Sequence, residues 1–338
     1  MKRADMLDAT VIVLGYNGLS YIDKCLSSIL DQDFPISNYE VIWADNCSTD
    51  GSAEYVTRCF PSVRVLRFDQ NYGFAEGNNR AVDYANGKYI VFLNQDTIVH
   101  RKWLSELVHA AESNSRIKAC HSNMLMPWHS ERLPETQEAM LQCVHIADLT
   151  RFGYVGYRQV PFTNEYVRTL FVSGASVLIA REVFKDLDYV FDPDLSAYCE
   201  DTDLGLRINS LGYETVLVPT SILYHNQEPQ DSLALAVLRK ANLIVKNRFL
   251  VFFKNMYISE YVLFLPFLLL GAPFKMREFG WEGHKKIIYA FGSIPLTLCS
   301  FARALLEFPR YFDKRRKILS KRKREKFWLL RRLVRSSV

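Results

Sequence analysis

The chain opens on an apolar run, "ATVIVLG", that stops at Tyr16, Asn17 and Gly18. The pattern returns three times, as "YEVIWAD", "VRVLRF" and "KYIVFLNQD", each run closing on polar or turn-forming residues. Continuous apolar runs of this length between turn signals predict strands buried on both faces. Between the first two, Ile22, Cys25, Leu26, Ile29 and Leu30 fall at helical spacing behind Ser20, a candidate cap. "SAEYVTRCF" and "AEGNNRAVDYANG" predict two further helices, the second stopping near Gly87. Strand and helix alternate with short crossovers, so the expected architecture is a doubly wound, mostly parallel α/β sheet. Ligands bind such sheets beyond the carboxyl ends of the strands. The polar loops 15–18, 45–51, 69–79 and 94–97 all fall there.

Further on, residues 101–117 predict a surface helix, and the stretch to about 168, with Pro127, Pro134 and Pro161, reads as irregular. "RTLFVSGASVLIARE" is apolar apart from Ser173 and Gly174, small residues that let something approach the backbone closely. "YCEDTDLGLRINSLGYETVLVP" predicts a helix from about Asp201 to Leu211, ended by Gly212, and then a strand. From about residue 235 the character changes to "ALAVLRKANLIVKNRFLVFF", an amphipathic helix with basic residues and no acid, followed by uncharged runs at 261–274 and 287–302. Both runs contain Pro and fall short of the roughly 20 apolar residues that span a bilayer. They suit an interfacial hairpin or a small buried helical subdomain. The division expected is 1–234 for the sheet domain, 235–309 for a helical apolar region and 310–338 for a basic tail.

Charge sharpens this picture. The 338-residue chain carries +5, but residues 310–338 hold thirteen Lys and Arg against two acids, which leaves −6 on residues 1–309. Basic residues interleaved with Phe327, Trp328, Leu329 and Leu330 predict a peripheral contact with an anionic membrane. No base-reading motif accompanies them, so nucleic acid is not the expected partner. Seven cysteines with no C-x-x-C pair argue against a disulfide framework or zinc ribbon. The apolar run at 11–14 is too short for a signal peptide.

Candidate chemistry sits on the rim. Asp96 ends a buried strand, where a carboxylate costs desolvation unless something meets it. It either caps a local turn or faces a hard divalent cation, which takes oxygen ligands and shares them with phosphates. "CEDTD" gathers Glu200, Asp201 and Asp203 at a helix start; capping explains one of them, and a carboxylate beside a pocket can also take a proton from an attacking hydroxyl. His225 follows a strand about 25 residues later.

Taken in order, "VIVLGYNG", "CLSSIL", "VIWADNCSTDGS", "NYGFAEGNN", "YIVFLNQDT", "VSGASVLIARE", "FDPDLSAYCEDTDLGLRINSLGY" and "VPTSILYH" resemble the family 2 glycosyltransferases. The likeness is strongest to the rhamnosyltransferase-like branch that builds bacterial surface polysaccharides, and it covers about residues 9–226. It implies a GT-A fold, a nucleotide-diphosphate sugar donor, a saccharide or polyprenyl-linked acceptor, and Mg2+ or Mn2+, with inversion at the anomeric carbon. By motif position it implies that Tyr16, Asn17 and Asp45 line the donor pocket and that Asn71 and Gly73 help close it. Asn94 and Gly174 would border the same pocket. Asp96 would bind the metal, with His225 completing the site as in some relatives, and Asp201 with its neighbour Glu200 would supply the catalytic base. Asn94 stands where the family's acidic motif has its first acid, which removes one charge from the metal site. A cytoplasmic-face location at the inner membrane is the setting this implies. A processive synthase is disfavoured because no Arg-Trp pair occurs, and a nucleotidyltransferase fits "CEDTD" and "NYGF" poorly. A non-catalytic sugar-nucleotide or glycan-binding protein on the same scaffold is the alternative.

Overall fold

A computed structural model describes residues 7–125, 143–226, 234–276 and 284–335; Pro127 and Pro134 lie outside them. The apolar runs form β1 (Ala9–Gly15), β2 (Tyr39–Asp45), β3 (Arg64–Arg67) and β4 (Tyr89–Asn94). All pair in parallel, β2 and β4 flanking β1 and β3 outside β2. The crossovers carry α1 (Ile22–Leu30), α2 (Ser52–Cys59) and α3 (Gly73–Val82). Ser20 does not cap α1: its N-cap is Tyr21, with no side-chain hydrogen bond.

Past β4 the sheet departs from the parallel pattern. A short β5 (Thr97–Val99) and α4 (Trp103–Ser113) lead into β6 (Ile117–Leu125). Then come β7 (Cys143–Leu149), β8 (Val155–Pro161), β9 (Val167–Thr169) and β10 (Ser176–Ala180). After α5 (Glu200–Ser210), β11 (Glu214–His225) closes the sheet domain. The large sheet runs β3-β2-β1-β4-β10-β6-β11-β5, with β9 also on β11 and β7–β8 a separate hairpin. β10 is antiparallel to β4 and β6, whereas β6 and β11 are parallel.

The stretch to 168 is therefore not irregular where it is described. Its strand character is hidden because β6 buries His121, Ser122 and Asn123 among its apolar residues. These polar groups are tolerated because each is hydrogen-bonded. Ser122 Oγ accepts from the Trp103 indole N–H at 3.0 Å, and Asn123 Oδ1 accepts from the His145 N–H at 2.9 Å.

Among the described residues four helices follow: α6 (Ala234–Asn255), α7 (Ile258–Met276), α8 (His284–Lys321) and α9 (Trp328–Val334). They share a core with the sheet domain, in which Phe249, Phe252, Phe253, Phe264 and Tyr311 pack with Leu149, Leu170, Phe171 and Leu206. The uncharged runs belong to α7 and α8, and Pro295 and Pro309 sit inside α8. Among the described residues no helix is long and apolar enough to cross a membrane. The outward side of these helices is apolar all the same: Ile258, Val262, Leu263 and Leu270 on α7 are exposed, as are Ile294, Leu298, Leu305 and Leu306 on α8.

The basic tail is not a free anchor. Lys321 pairs with Asp188 at 2.9 Å, and the Arg324 guanidinium donates to the Asn209 carbonyl at 3.1 Å. Leu329 and Leu333 are buried. Arg322 and Glu260 form a bidentate pair, at 2.8 and 2.9 Å, with both side chains fully buried. Such a pair adds little by itself, but removing one partner strands the other charge. Glu260→Ala is expected to cost about 3–5 kcal/mol, read as a fall in the urea midpoint; an unchanged midpoint would show that the tail docks without this pair.

Candidate active site

The carboxyl ends of β1, β2 and β4 meet in a set of interlocked loops. Gly15 ends β1 against the Trp43 indole, where a Cβ would approach to 2.1 Å, so only glycine fits. Tyr16 is 45% exposed on the rim. Its backbone N–H donates to Gln95 Oε1 at 2.9 Å, and its carbonyl accepts from Gln95 Nε2 at 3.0 Å. Gln95 thus clips the β1 loop to the β4 loop, a role its position between Asn94 and Asp96 did not suggest. Asn17 takes a left-handed φ of 47° and turns its side-chain oxygen inward to accept from the Thr49 N–H at 2.9 Å.

Asp45 is buried at the end of β2. Its Oδ2 accepts from the Ser48 N–H at 3.0 Å, while Oδ1 is buried with no hydrogen-bond partner. An acceptor left this way is costly unless a ligand donor completes it. Beside it Asn46, also buried, accepts from the Tyr72 N–H at 2.9 Å and donates to Asn71 Oδ1 at 2.9 Å. Asn71 Oδ1 in turn accepts from the Gly73 N–H at 2.8 Å, and Gly73 adopts φ +73°. Asn71 and Gly73 lie on the loop that leads into α3, and Asn46, which the sequence does not single out, is the hub that shapes this loop.

Asp96 follows β4 on a turn whose far side is fixed by β5 pairing with the end of β11, with His225 opposite Thr97. This brings Asp96 Oδ1 to 3.1 Å from His225 Nε2; the Asn94 amide nitrogen lies 3.4 Å from the same ring atom. Asp96 keeps 25% of its side chain exposed while the imidazole is almost fully buried. Two adjacent ligands, each about 2.1 Å from an octahedral cation, lie about 3 Å apart, so one carboxylate and one imidazole in this arrangement fit a divalent ion. Among the described residues no third His, Cys, Asp or Glu joins them. That suits a cation that keeps several positions for water and phosphate oxygens.

Across the rim, the Asn94 N–H donates to the Ala175 carbonyl at 3.0 Å, which ties the β4 loop to Gly174. A Cβ on Gly174 would lie 3.6 Å from the Asp201 Cβ and 3.4 Å from the Phe74 ring. These are ordinary van der Waals distances, so the structure shows no approach at Gly174 that only glycine would allow; Asp201 and Phe74 are simply its neighbours. Asp201 lies in the first turn of α5, its Oδ1 accepting from the Thr202 N–H at 2.7 Å. Glu200 and Asp201 keep an exposed edge, but their carboxyl groups are surrounded by protein. Burial pushes Asp201 up to about 6, against the opposing pull of the Thr202 and Gly174 N–H groups. Burial and then the Asp201 charge push Glu200 up to about 8, and Glu200 Oε2 has no hydrogen-bond partner. Both carboxyls are thus held above the ordinary carboxylate range, Glu200 further than Asp201. Asp203 is different: it is fully buried and accepts from Arg207 Nε at 2.7 Å and from Asn255 Nδ2 at 2.8 Å. Of the three acids in "CEDTD", Asp201 lies against Gly174 and Asp203 braces the fold.

A curled, mostly parallel sheet with this rim is the GT-A fold, and the protein is a glycosyltransferase. The sequence model of glycosyl transferase family 2 matches residues 10–188, more than half of the chain, and the chain belongs to that family. It is 30% identical over 240 residues to an uncharacterized glycosyltransferase of Haemophilus influenzae, covering 66% of this chain and 70% of that one. It is 24% identical over 235 residues to the N-acetylglucosaminyl-diphospho-decaprenol L-rhamnosyltransferase of Mycobacterium tuberculosis, covering 64% of this chain and 75% of that one. Other curated relatives match over a shorter part: the chain spans 32% of a Haloferax volcanii glycosyltransferase, AglE. Among solved structures, the mannosyltransferase PcManGT from Pyrobaculum calidifontis, in complex with GDP-Man and Mn2+, superposes with a TM-score of 0.59. Identity there is 18%, over 94% of this chain and 86% of that one.

Proposed function

We propose that the protein is an inverting transferase that moves a sugar from a nucleotide-diphosphate donor to an acceptor hydroxyl in cell-surface glycan synthesis. The observation that carries this reading is the pairing, on one rim, of Asp96 with His225 and of Asp201 with Glu200. The first pair suits a metal diphosphate and the second suits proton removal. The donor's base and ribose would rest on the loops of Tyr16, Asn17 and Asp45, the open Asp45 oxygen accepting from the ligand. Asn71, Gly73, Asn94 and Gly174 would shape the walls.

Asp201 takes the proton of the acceptor hydroxyl as that oxygen attacks the anomeric carbon, and the bond to the departing nucleotide diphosphate breaks on the opposite face. A bound Mg2+ or Mn2+ would offset the charge that develops on the diphosphate. Asp96 and His225 would hold that ion, and protonated Glu200 leaves a single negative charge beside the attacking oxygen. The likeness to a diphospho-decaprenol L-rhamnosyltransferase supports a dTDP-rhamnose-like or UDP-linked donor and a polyprenyl-linked saccharide acceptor. Transfer from a panel of nucleotide sugars to a polyprenyl-diphosphate saccharide, with the product anomer assigned by NMR, tests this. An inverted product is expected; a retained anomer or no transfer would overturn the reading.

We further propose a peripheral contact with the cytoplasmic face of the plasma membrane, made by residues 235–309 and the basic tail 310–338 against the transferase domain 1–234. What supports it is the exposed apolar side of α7 and α8, with Leu306 83% exposed, bordered by exposed Arg303, Arg310, Arg316 and Lys317. Apolar surface of this kind rimmed by cations suits anionic lipid. Leu298→Asp with Leu306→Asp is expected to abolish co-sedimentation with phosphatidylglycerol vesicles; undiminished sedimentation would remove this face from the account.

A further inference from the structure

The sequence shows α6 as a helix whose charged residues are all basic, with no evident duty. In the structure its face reads the backbone that carries the candidate base. Asn247, fully buried on α6, donates through Nδ2 to the carbonyl oxygens of Leu195, Ala197 and Tyr198, at 2.7, 2.9 and 3.0 Å. The two N–H groups of the amide serve three carbonyls, one N–H shared between two of them; a carbonyl oxygen could serve none, so the side-chain orientation is fixed, and Oδ1 is left buried without a partner. Two turns along the same face, Lys254 bonds Asp192 and lies 3.0 Å from Asp203, while Asn255 donates to Asp203. These contacts bracket the segment from Asp192 to Asp203 at both ends and in the middle.

The segment between needs holding. Ser196, Tyr198 and Cys199 have φ values of 62°, 66° and 70°, left-handed conformations that side chains other than glycine seldom adopt. Strain of this kind persists only where the surroundings over-determine it. Asp201 begins two residues after the last of the three. We propose that Asn247 is a positioning residue: its amide gathers the Leu195, Ala197 and Tyr198 carbonyls, holds the left-handed turn, and so sets the Asp201 carboxylate against the acceptor hydroxyl. The helical C-terminal region would then complete the active site rather than only append to it. This rests on Asp201 being the base.

The test compares Asn247→Leu, Asp201→Asn and the double variant, each shown to be folded by circular dichroism. A base displaced by about 1 Å can cost up to about 10²-fold, so Asn247→Leu is expected to lower kcat about 10–100-fold with the donor KM within about twofold. Because Asn247 acts through Asp201, the double variant is expected to be no slower than Asp201→Asn alone. Wild-type kcat in folded Asn247→Leu would overturn the proposal, as would a double variant slowed by the full product of the two single effects. Should the leucine variant not fold, Asn247→Ser, which loses the forked amide but keeps a small hydroxyl, is read by the same two criteria. Wild-type kcat in Asp201→Asn alone would remove the base assignment and this proposal with it.

Discussion

Asp201→Asn is expected to lower kcat by about 10²–10⁴-fold, the loss that follows removal of a positioned general base, while the donor still binds with nearly its wild-type affinity. The asymmetry follows from geometry. Asp201 faces Gly174 and Phe74 at the start of α5, whereas the open Asp45 oxygen lies on the β2 loop. The carboxylate must be ionised to act, and burial holds it up at about 6 instead of in the ordinary carboxylate range. Activity is therefore expected to fall as pH drops through about 6, not through about 4. A steady-state profile of kcat against pH, fitted for its acid limb, checks the sign: a limb near 4 would show that the base is a more solvated group. Wild-type kcat in the Asn variant would remove the assignment entirely.

Asp96→Ala is the second large effect expected, with turnover reduced by about 10²–10³-fold, the scale found when a preorganised group that offsets developing charge is lost. Here the change also removes one of the two metal-ligating side chains gathered among the described residues at the ends of β4 and β11, so the Mn2+ concentration needed for half-maximal rate should rise together with the loss of rate. His225→Asn should move the metal requirement in the same direction. Metal titration of initial rates separates this from misfolding, because a merely destabilised enzyme loses amplitude without a shifted midpoint. An Asp96→Ala enzyme with an unchanged Mn2+ midpoint would show that the ion, if used, is held elsewhere.

What could be read from the sequence depended on how far apart the interacting residues are. The parallel half was legible because each strand of β1, β2 and β4 is an uninterrupted apolar run closed by its own polar loop. Asp45, Asn94 and Asp96 come to one rim for that reason. β10 was not legible as antiparallel: "SVLIA" is buried on both faces, and such a run carries no sign of its direction. β6 was lost because its buried polar residues find partners on α4, β7 and β10, which no local pattern records. The three acids of "CEDTD" could not be told apart by type. Asp203 differs from Asp201 only in lying two residues further round α5, which turns it to Arg207 and Asn255. The tail shows the same limit. Its charge was obvious, but the partners that tie it down, Asp188, Asn209 and Glu260, lie 62 to 133 residues earlier. Gln95 and Asn46 carry no local signal, since a polar residue that clips a neighbouring loop looks in sequence like any other turn residue.

The central claim is that this rim binds a nucleotide-diphosphate sugar through a divalent ion. Thermal unfolding of the purified chain, scanned against dTDP, UDP and GDP sugars with Mn2+ and again with EDTA, tests it most directly, because a ligand that binds only the folded state must raise the midpoint. A rise with one nucleotide class is expected, abolished by EDTA and by Asp96→Ala alike. A rise of equal size in EDTA, or one that survives Asp96→Ala, would contradict it.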